Sequence, residues 1–215
     1  HYKPYLKMDD SVLNSIRYFD MPHSRQAEYL TNEAKSPLYS NTSAEYLPSG
    51  ERYFERLLEE LENAKEYIYI EFFIIAEGYM WDKIYAILKQ KASEGVEIKI
   101  IFDDFGSIKR QHKNFVTRLR RKGIEVAVFN KIRPSMDIFM NNRDHRKIVV
   151  VDGRVAFTGG INIGDEYINK IERFGYWMDC AAVFTGDAAR SFSIMFMSMW
   201  TFITGEVLDG KKYIA

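Results

Sequence analysis

The sequence predicts an α/β domain built on a mixed, largely parallel central sheet. Three observations carry that expectation. Runs rich in β-branched and aromatic residues alternate with amphipathic segments of helical spacing between residues 44 and 129; the pattern changes at Lys147 to two apolar runs joined by Asp152-Gly153; and no low-complexity linker divides residues 38–205. Strand–helix alternation marks parallel βαβ units, whereas Asp-Gly between two apolar runs marks a hairpin. The chain is therefore expected to comprise an irregular, partly helical lead-in (1–37), one domain (38–205) and a short tail (206–215).

Each element follows from local pattern. In the lead-in, helical stretches at about Ser11–Phe19 and Ser24–Ala34 are broken by Pro22 and stopped by Pro37. "AEYL" (44–47) reads as a short strand, and Ser49 is placed to cap a helix in which Phe54, Leu57, Leu58, Leu61 and Ala64 recur at helical spacing. "YIYIEFFII" (67–75) is a buried strand by its β-branched and aromatic content. A helix from about Tyr79 aligns Trp81, Ile84, Leu88 and Ala92 and stops at Gly95. "VEIKIIFDD" (96–104) is a strand, "HKNFVTRLRRKG" (112–123) a helix ended by Gly123, and "IEVAVF" (124–129) a strand. After the hairpin of "KIVVV" and "RVAFTGG" come a short helix near Asp165–Lys170, a strand at about Trp177–Phe184 and a last helix from Asp187 to about Ile203. That helix is apolar nearly all round but too short to span a bilayer, which favours buried core, a membrane or partner contact being the alternative.

At 215 residues, 47% of them apolar, the chain can bury a substantial core. Lys plus Arg and Asp plus Glu stand at 30 each, so net charge gives no reason to expect nucleic acid or a membrane. The distribution is uneven: from Lys109 to Arg154 there are 13 Lys or Arg against four acids (Glu125, Asp137, Asp144, Asp152). That stretch suits an anionic partner, a solvated basic face being the alternative. Cys180 stands alone, which excludes a disulfide framework and a cysteine-based metal site and fits a reducing, cytosol-facing location. The chain begins at His1, so an upstream segment, including any anchor, is expected to have been removed.

The chemistry concentrates in "NNRDHRKIVVVDG" (141–153). Strand alternation points His145 and Lys147 the same way and Arg146 the other. An imidazole beside an ammonium can bind a phosphate, the lysine neutralising its oxygens while the histidine attacks phosphorus. Asp152, an odd seven positions after His145, faces away on a regular strand and suits a supporting role at the turn. "GGIN" (159–162) adds backbone amides of Gly159 and Gly160 and the carboxamide of Asn162, groups able to hold phosphate oxygens. Glu71, inside an apolar strand, reads as a paired structural acid, a site residue being the alternative; Asp103 and Asp104 of "DDFG" are pocket-edge acids or loop starters.

The spacing His-x-Lys-x4-Asp-x6-Gly-x-x-Asn over His145, Lys147, Asp152, Gly159 and Asn162 resembles the HKD signature of the phospholipase D superfamily. Together with "GVEIKIIFDDFGS" and "ERFGYWMD", residues 37–205 are similar to the first catalytic half of bacterial cardiolipin synthases. The resemblance implies a phospholipase D-like α/β/α sandwich with no metal or other cofactor. It also implies condensation of two phosphatidylglycerols to cardiolipin and glycerol through a phosphatidyl-histidine, a step of phospholipid biosynthesis. By position it makes His145, Lys147 and Asp152 the catalytic residues, and Asn162, Gly159, Gly160, Asp179 and Arg146 substrate-side residues. The implied partners are anionic phospholipid at the bacterial cell membrane and a second HKD half, in the same full-length chain or in a homodimer partner; the fragment itself is expected to be soluble.

The chain departs from that pattern in two ways. "GGIN" stands where many members have Gly-Ser, and only one motif is present, although such an enzyme needs two histidines. His1-Tyr2-Lys3 imitates a second start but has Met8 in place of Asp, while His23 and His112 lack the spaced lysine. Open alternatives are a single-motif homodimeric phosphodiesterase, acting as phospholipase or nuclease, and an inactive lipid-binding module.

Overall fold

The computed structural model describes residues 1–6, 10–132 and 141–214; Met8, Arg133 and Asp137 lie outside them. Seven strands, β1 (Thr42–Leu47), β2 (Tyr67–Phe72), β3 (Glu97–Asp103), β4 (Glu125–Phe129), β5 (Lys147–Val151), β6 (Val155–Gly159) and β7 (Ala181–Gly186), form one sheet in the order β1-β7-β6-β5-β2-β3-β4. The α/β class and the mixed sheet stand, but the pairing is not largely parallel. Only β2–β3 and β3–β4 are parallel; β1–β7, β7–β6, β6–β5 and β5–β2 are antiparallel. Helices α4 (Tyr79–Ser93) and α6 (Phe115–Arg120) supply the crossovers for the parallel pairs. At Asp152-Gly153 both φ angles are positive, 53° and 61°, the backbone of a tight hairpin turn that reverses β6 against β5.

Alternation along the strands separates two layers. Ile68, Ile70 and Phe72 join one apolar cluster with α3 (Gly50–Glu62), α4 and α6, while Tyr67, Tyr69, Ile148 and Val150 join a second with α7 (Ala188–Thr204). Helix α3 begins where expected, Ser49 accepting a hydrogen bond from the amide of Arg52. Helix α7 buries Ile194, Phe196, Met197 and Trp200, and Phe196 stacks on Tyr69 at 4.4 Å. The apolar character of α7 thus belongs largely to the core; Phe202 remains exposed.

Helices α1 (Asp10–Phe19) and α2 (Met21–Asn32) form the lead-in, Pro22 sitting in the first turn of α2 rather than breaking a helix. Tyr2 is buried beside α7, its hydroxyl 3.0 Å from Thr201 Oγ1 and accepting from the Leu208 amide at 2.8 Å. Short helices α5 (Asp104–Ser107) and α8 (Gly210–Ile214) complete the elements. Among the described residues no helix is long and apolar enough to cross a membrane.

Candidate active site

Because β5 runs against both β2 and β6, and β7 against β6, one end of the sheet gathers the last residues of β2, β3 and β6 and the first of β5 and β7. Phe72 pairs with Lys147 and Gly159 with Ala181, so His145, Gly160, Asn162 and Asp179 all flank the same end. The basic stretch that begins at Lys109 is split by this topology. Lys109, Arg110 and Lys131 follow the ends of β3 and β4 on the site side, but Arg120, Arg121 and Lys122 precede β4 at the opposite end.

His145 is exposed and Lys147 is buried. The lysine Nζ lies 3.2 Å from His145 Nδ1 and donates to the His145 carbonyl at 2.8 Å. Phe73 supports both: its ring centroid is 4.9 Å from that of His145 and 5.7 Å from the ammonium. Burial pulls the Lys147 pKa down to about 8, a fall partly opposed by the carboxylates of Asp179 and Asp144. A phosphate arriving here meets a desolvated ammonium that has given up water beforehand.

The segment leading into β5 is anchored by acids. Asp103, fully buried at the end of β3, accepts from the Asp144 amide at 3.1 Å and from Arg143 at 3.3 Å, and also caps α5 through the amides of Phe105 and Gly106. Asp104 accepts from the amide of Ile132 at 2.7 Å. Both acids of "DDFG" are therefore loop organisers. Arg146 points to the α7 face, as strand alternation predicts, and is held by Glu71 and Asp144 at 2.9 Å each. Arg146 is thus engaged with two acids on the face opposite Lys147. Glu71 is the structural acid anticipated: burial and the adjacent Asp144 hold its carboxyl well above the usual range, against the pull of Arg146.

Asn162 is buried, its Oδ1 accepting from the Ile74 amide and its Nδ2 donating to the Tyr167 hydroxyl, both at 3.0 Å. Asp179 Oδ1 accepts from the Cys180 amide at 2.8 Å and Oδ2 from Trp177 Nε1 at 3.3 Å. The two glycines act by close approach. A Cβ on Gly159 would come 2.5 Å from the Cys180 carbonyl oxygen, and one on Gly160 would come 2.1 Å from Asp179 Oδ1. The Gly160 amide donates to the Cys180 carbonyl at 3.1 Å, so it is spent on the sheet rather than left for phosphate. Asp152 sits at the far end of β5, where its carboxylate accepts from the amides of Lys65, Glu66 and Tyr67 at 2.8–2.9 Å. It ties the hairpin to β2, at the end of β5 opposite His145 and Lys147.

Phe73, which packs against the His145 ring, also lines a cleft of about 320 Å³ walled by Phe105, Tyr167 and Trp177, with Arg110, Glu166 and Arg173 in its lining. Sequence reasoning missed this cleft because its walls come from three separated segments. Phe73 was read as strand interior, but β2 ends at Phe72 and the chain turns out; α5 then fixes Phe73, its carbonyl accepting from Ser107 Oγ at 3.2 Å.

The sequence model of the family described as cardiolipin synthase, PLD-like domain, matches residues 57–178. The chain belongs to this family. It is 37% identical over 182 residues to a cardiolipin synthase of a Geobacillus species, covering 84% of this chain and 36% of that protein. It is 35% identical over 196 residues to the cardiolipin synthase of Geobacillus thermodenitrificans, covering 90% and 39% respectively. It is also 42% identical over 199 residues to an uncharacterized protein of Streptococcus mutans, covering 93% and 43%. The chain thus spans about four tenths of the length of these relatives. Among solved structures, phosphatidylserine synthase of Haemophilus influenzae superimposes with a TM-score of 0.56 at 18% identity, covering 86% of this chain and 41% of that one. Nuc of Salmonella typhimurium, a phospholipase D family member, gives 0.53 at 19%, covering 74% and 93%. These structures establish the phospholipase D fold of this cardiolipin synthase-like domain.

Proposed function

We propose that this domain supplies one histidine of a phosphatidyltransferase site that joins two phosphatidylglycerols into cardiolipin and releases glycerol. The observation that carries the reading is the buried Lys147 held against His145 at 3.2 Å, at the end of the sheet that also bears Asn162 and Asp179. A nitrogen of His145 attacks the phosphorus of the first lipid; the P–N bond forms and the P–O bond to the terminal glycerol breaks. The departing alkoxide takes a proton from a second histidine. That histidine then accepts the proton of a primary hydroxyl on the second lipid, whose oxygen attacks phosphorus as the P–N bond breaks. Lys147 balances the charge on the non-bridging oxygens, and Asn162 offers them the amide hydrogen that Tyr167 does not use.

The second histidine comes from a second HKD half in the remaining length of the full protein, or from a second copy of this chain across a twofold axis. The substrate is anionic lipid at a bacterial membrane surface, and Lys109 and Lys131, which follow the ends of β3 and β4, are cations suited to meet it. The test is to incubate the chain with phosphatidylglycerol vesicles, alone and with a second half supplied, and to follow cardiolipin and glycerol by mass spectrometry. Product that disappears in His145→Ala supports the reading; product that persists in that variant refutes it.

A further inference from the structure

We infer that the cleft between Arg110, Glu166 and Arg173 is a second phosphodiester site, which receives the headgroup of the acceptor lipid; this rests on the transferase reading above. Glu166 is buried and its Oε1 binds both guanidiniums, Arg110 at 2.5 Å and Arg173 at 3.1 Å. Two cations share one carboxylate, which leaves an excess positive charge in a cleft with aromatic walls. Arg110 Nη1 is buried and has no hydrogen-bond partner among the described residues. The guanidinium of Arg173 is half-exposed in the lining of the cleft, and a phosphate oxygen is a partner that matches it in charge and geometry.

The position of the cleft fits the chemistry of an acceptor. In phosphatidylglycerol the reacting primary hydroxyl is separated from its own phosphate by one glycerol, so the acceptor phosphate must rest one glycerol away from the phosphorus on His145. Phe73 lines the cleft on one side and packs against His145 on the other. Tyr167 lines it too, while its hydroxyl accepts from Asn162. The cleft is therefore one aromatic ring from the nucleophile and one hydrogen bond from the phosphate-side amide. Its volume of about 320 Å³ suits a headgroup and not whole acyl chains. The reaction then separates its two like lipids by site, the donor at Lys147 and the acceptor at Arg110.

Trp177 lines the cleft whereas Trp81 and Trp200 are buried elsewhere, so tryptophan fluorescence, corrected with Trp177→Phe, reports on it. The experiment titrates the chain with soluble glycerophosphoglycerol and, in parallel, with inorganic phosphate. The inference predicts a saturable change with the diester, retained in Lys147→Ala and weakened at least about tenfold in Arg110→Gln. Arg173→Gln, at a half-exposed position, gives the same direction of change should Arg110→Gln melt early. Binding that both arginine variants leave unchanged, or that inorganic phosphate matches, overturns the inference. Binding lost in Lys147→Ala alone also overturns it and leaves the transferase reading standing. An arginine-dependent response in a chain that never reacts at His145 supports the headgroup site and sinks the transferase reading instead.

Discussion

Lys147 donates from its buried ammonium to the carbonyl of His145 while standing 3.2 Å from Nδ1 of the same residue. The contact holds the two side chains together as one unit at the start of β5. Burial leaves the Lys147 ammonium partly stripped of water, which brings its pKa down to about 8.

Binding of phosphate at this unit should weaken as pH rises through about 8, well before an ordinary lysine at 10.5 would titrate. A bound anion favours the charged form, so the Lys147 pKa should rise on binding and protons should be taken up near pH 8. Side-chain NMR of Lys147 with and without phosphate reads both effects. Asp179→Asn should move the midpoint of the free chain lower still, because Asp179 is the larger of the two carboxylate influences that hold it up.

Asp152 predicts a loss of stability without a loss of chemistry. Replacing it with Ala leaves three backbone amides at the start of β2 without their acceptor and puts Ala at a φ of 53°. The expected cost is roughly 2–4 kcal/mol, with each kcal/mol lowering the melting temperature by about 2–4 °C in a domain of this size. Phosphate binding at Lys147, measured below the melting transition, should be unchanged.

Glu71 predicts a pH dependence of stability with a definite sign. Its carboxyl titrates higher in the folded chain than in the unfolded one, so its contribution is complete at low pH and is lost as pH rises through the folded value. Glu71→Gln keeps the shape and removes the titration. Thermal melts of the variant and parent should coincide in acid and diverge toward neutral and alkaline pH, the variant melting higher.

Much of this was legible in the sequence where local rules decide. The alternation of a strand put His145 and Lys147 on one face and Arg146 on the other, and Asp152-Gly153 marked the hairpin. Long-range choices were not legible. The strand–helix rhythm up to residue 129 indicates parallel pairing, yet nothing in "KIVVV" says that it will lie against β2 in the opposite sense. The run from Lys109 to Lys131 is continuous in sequence, but a helix and a strand divide it between two ends of the sheet. The backbone donors to Asp152 lie 85–87 residues away in sequence, and its motif spacing does not reveal them.

The central claim is that His145 is a nucleophile toward phosphorus, and an activated diester tests it without the second histidine. With bis(4-nitrophenyl) phosphate the leaving nitrophenolate needs no proton, so the domain alone suffices for the first step: a P–N bond forms at His145 as the P–O bond breaks. The account predicts a burst of nitrophenolate equal to the folded protein present, and a matching mass increase on the peptide containing His145. Both should be absent in His145→Ala and reduced in Lys147→Ala. Folded wild-type chain that gives no burst, or a burst that survives His145→Ala, contradicts it.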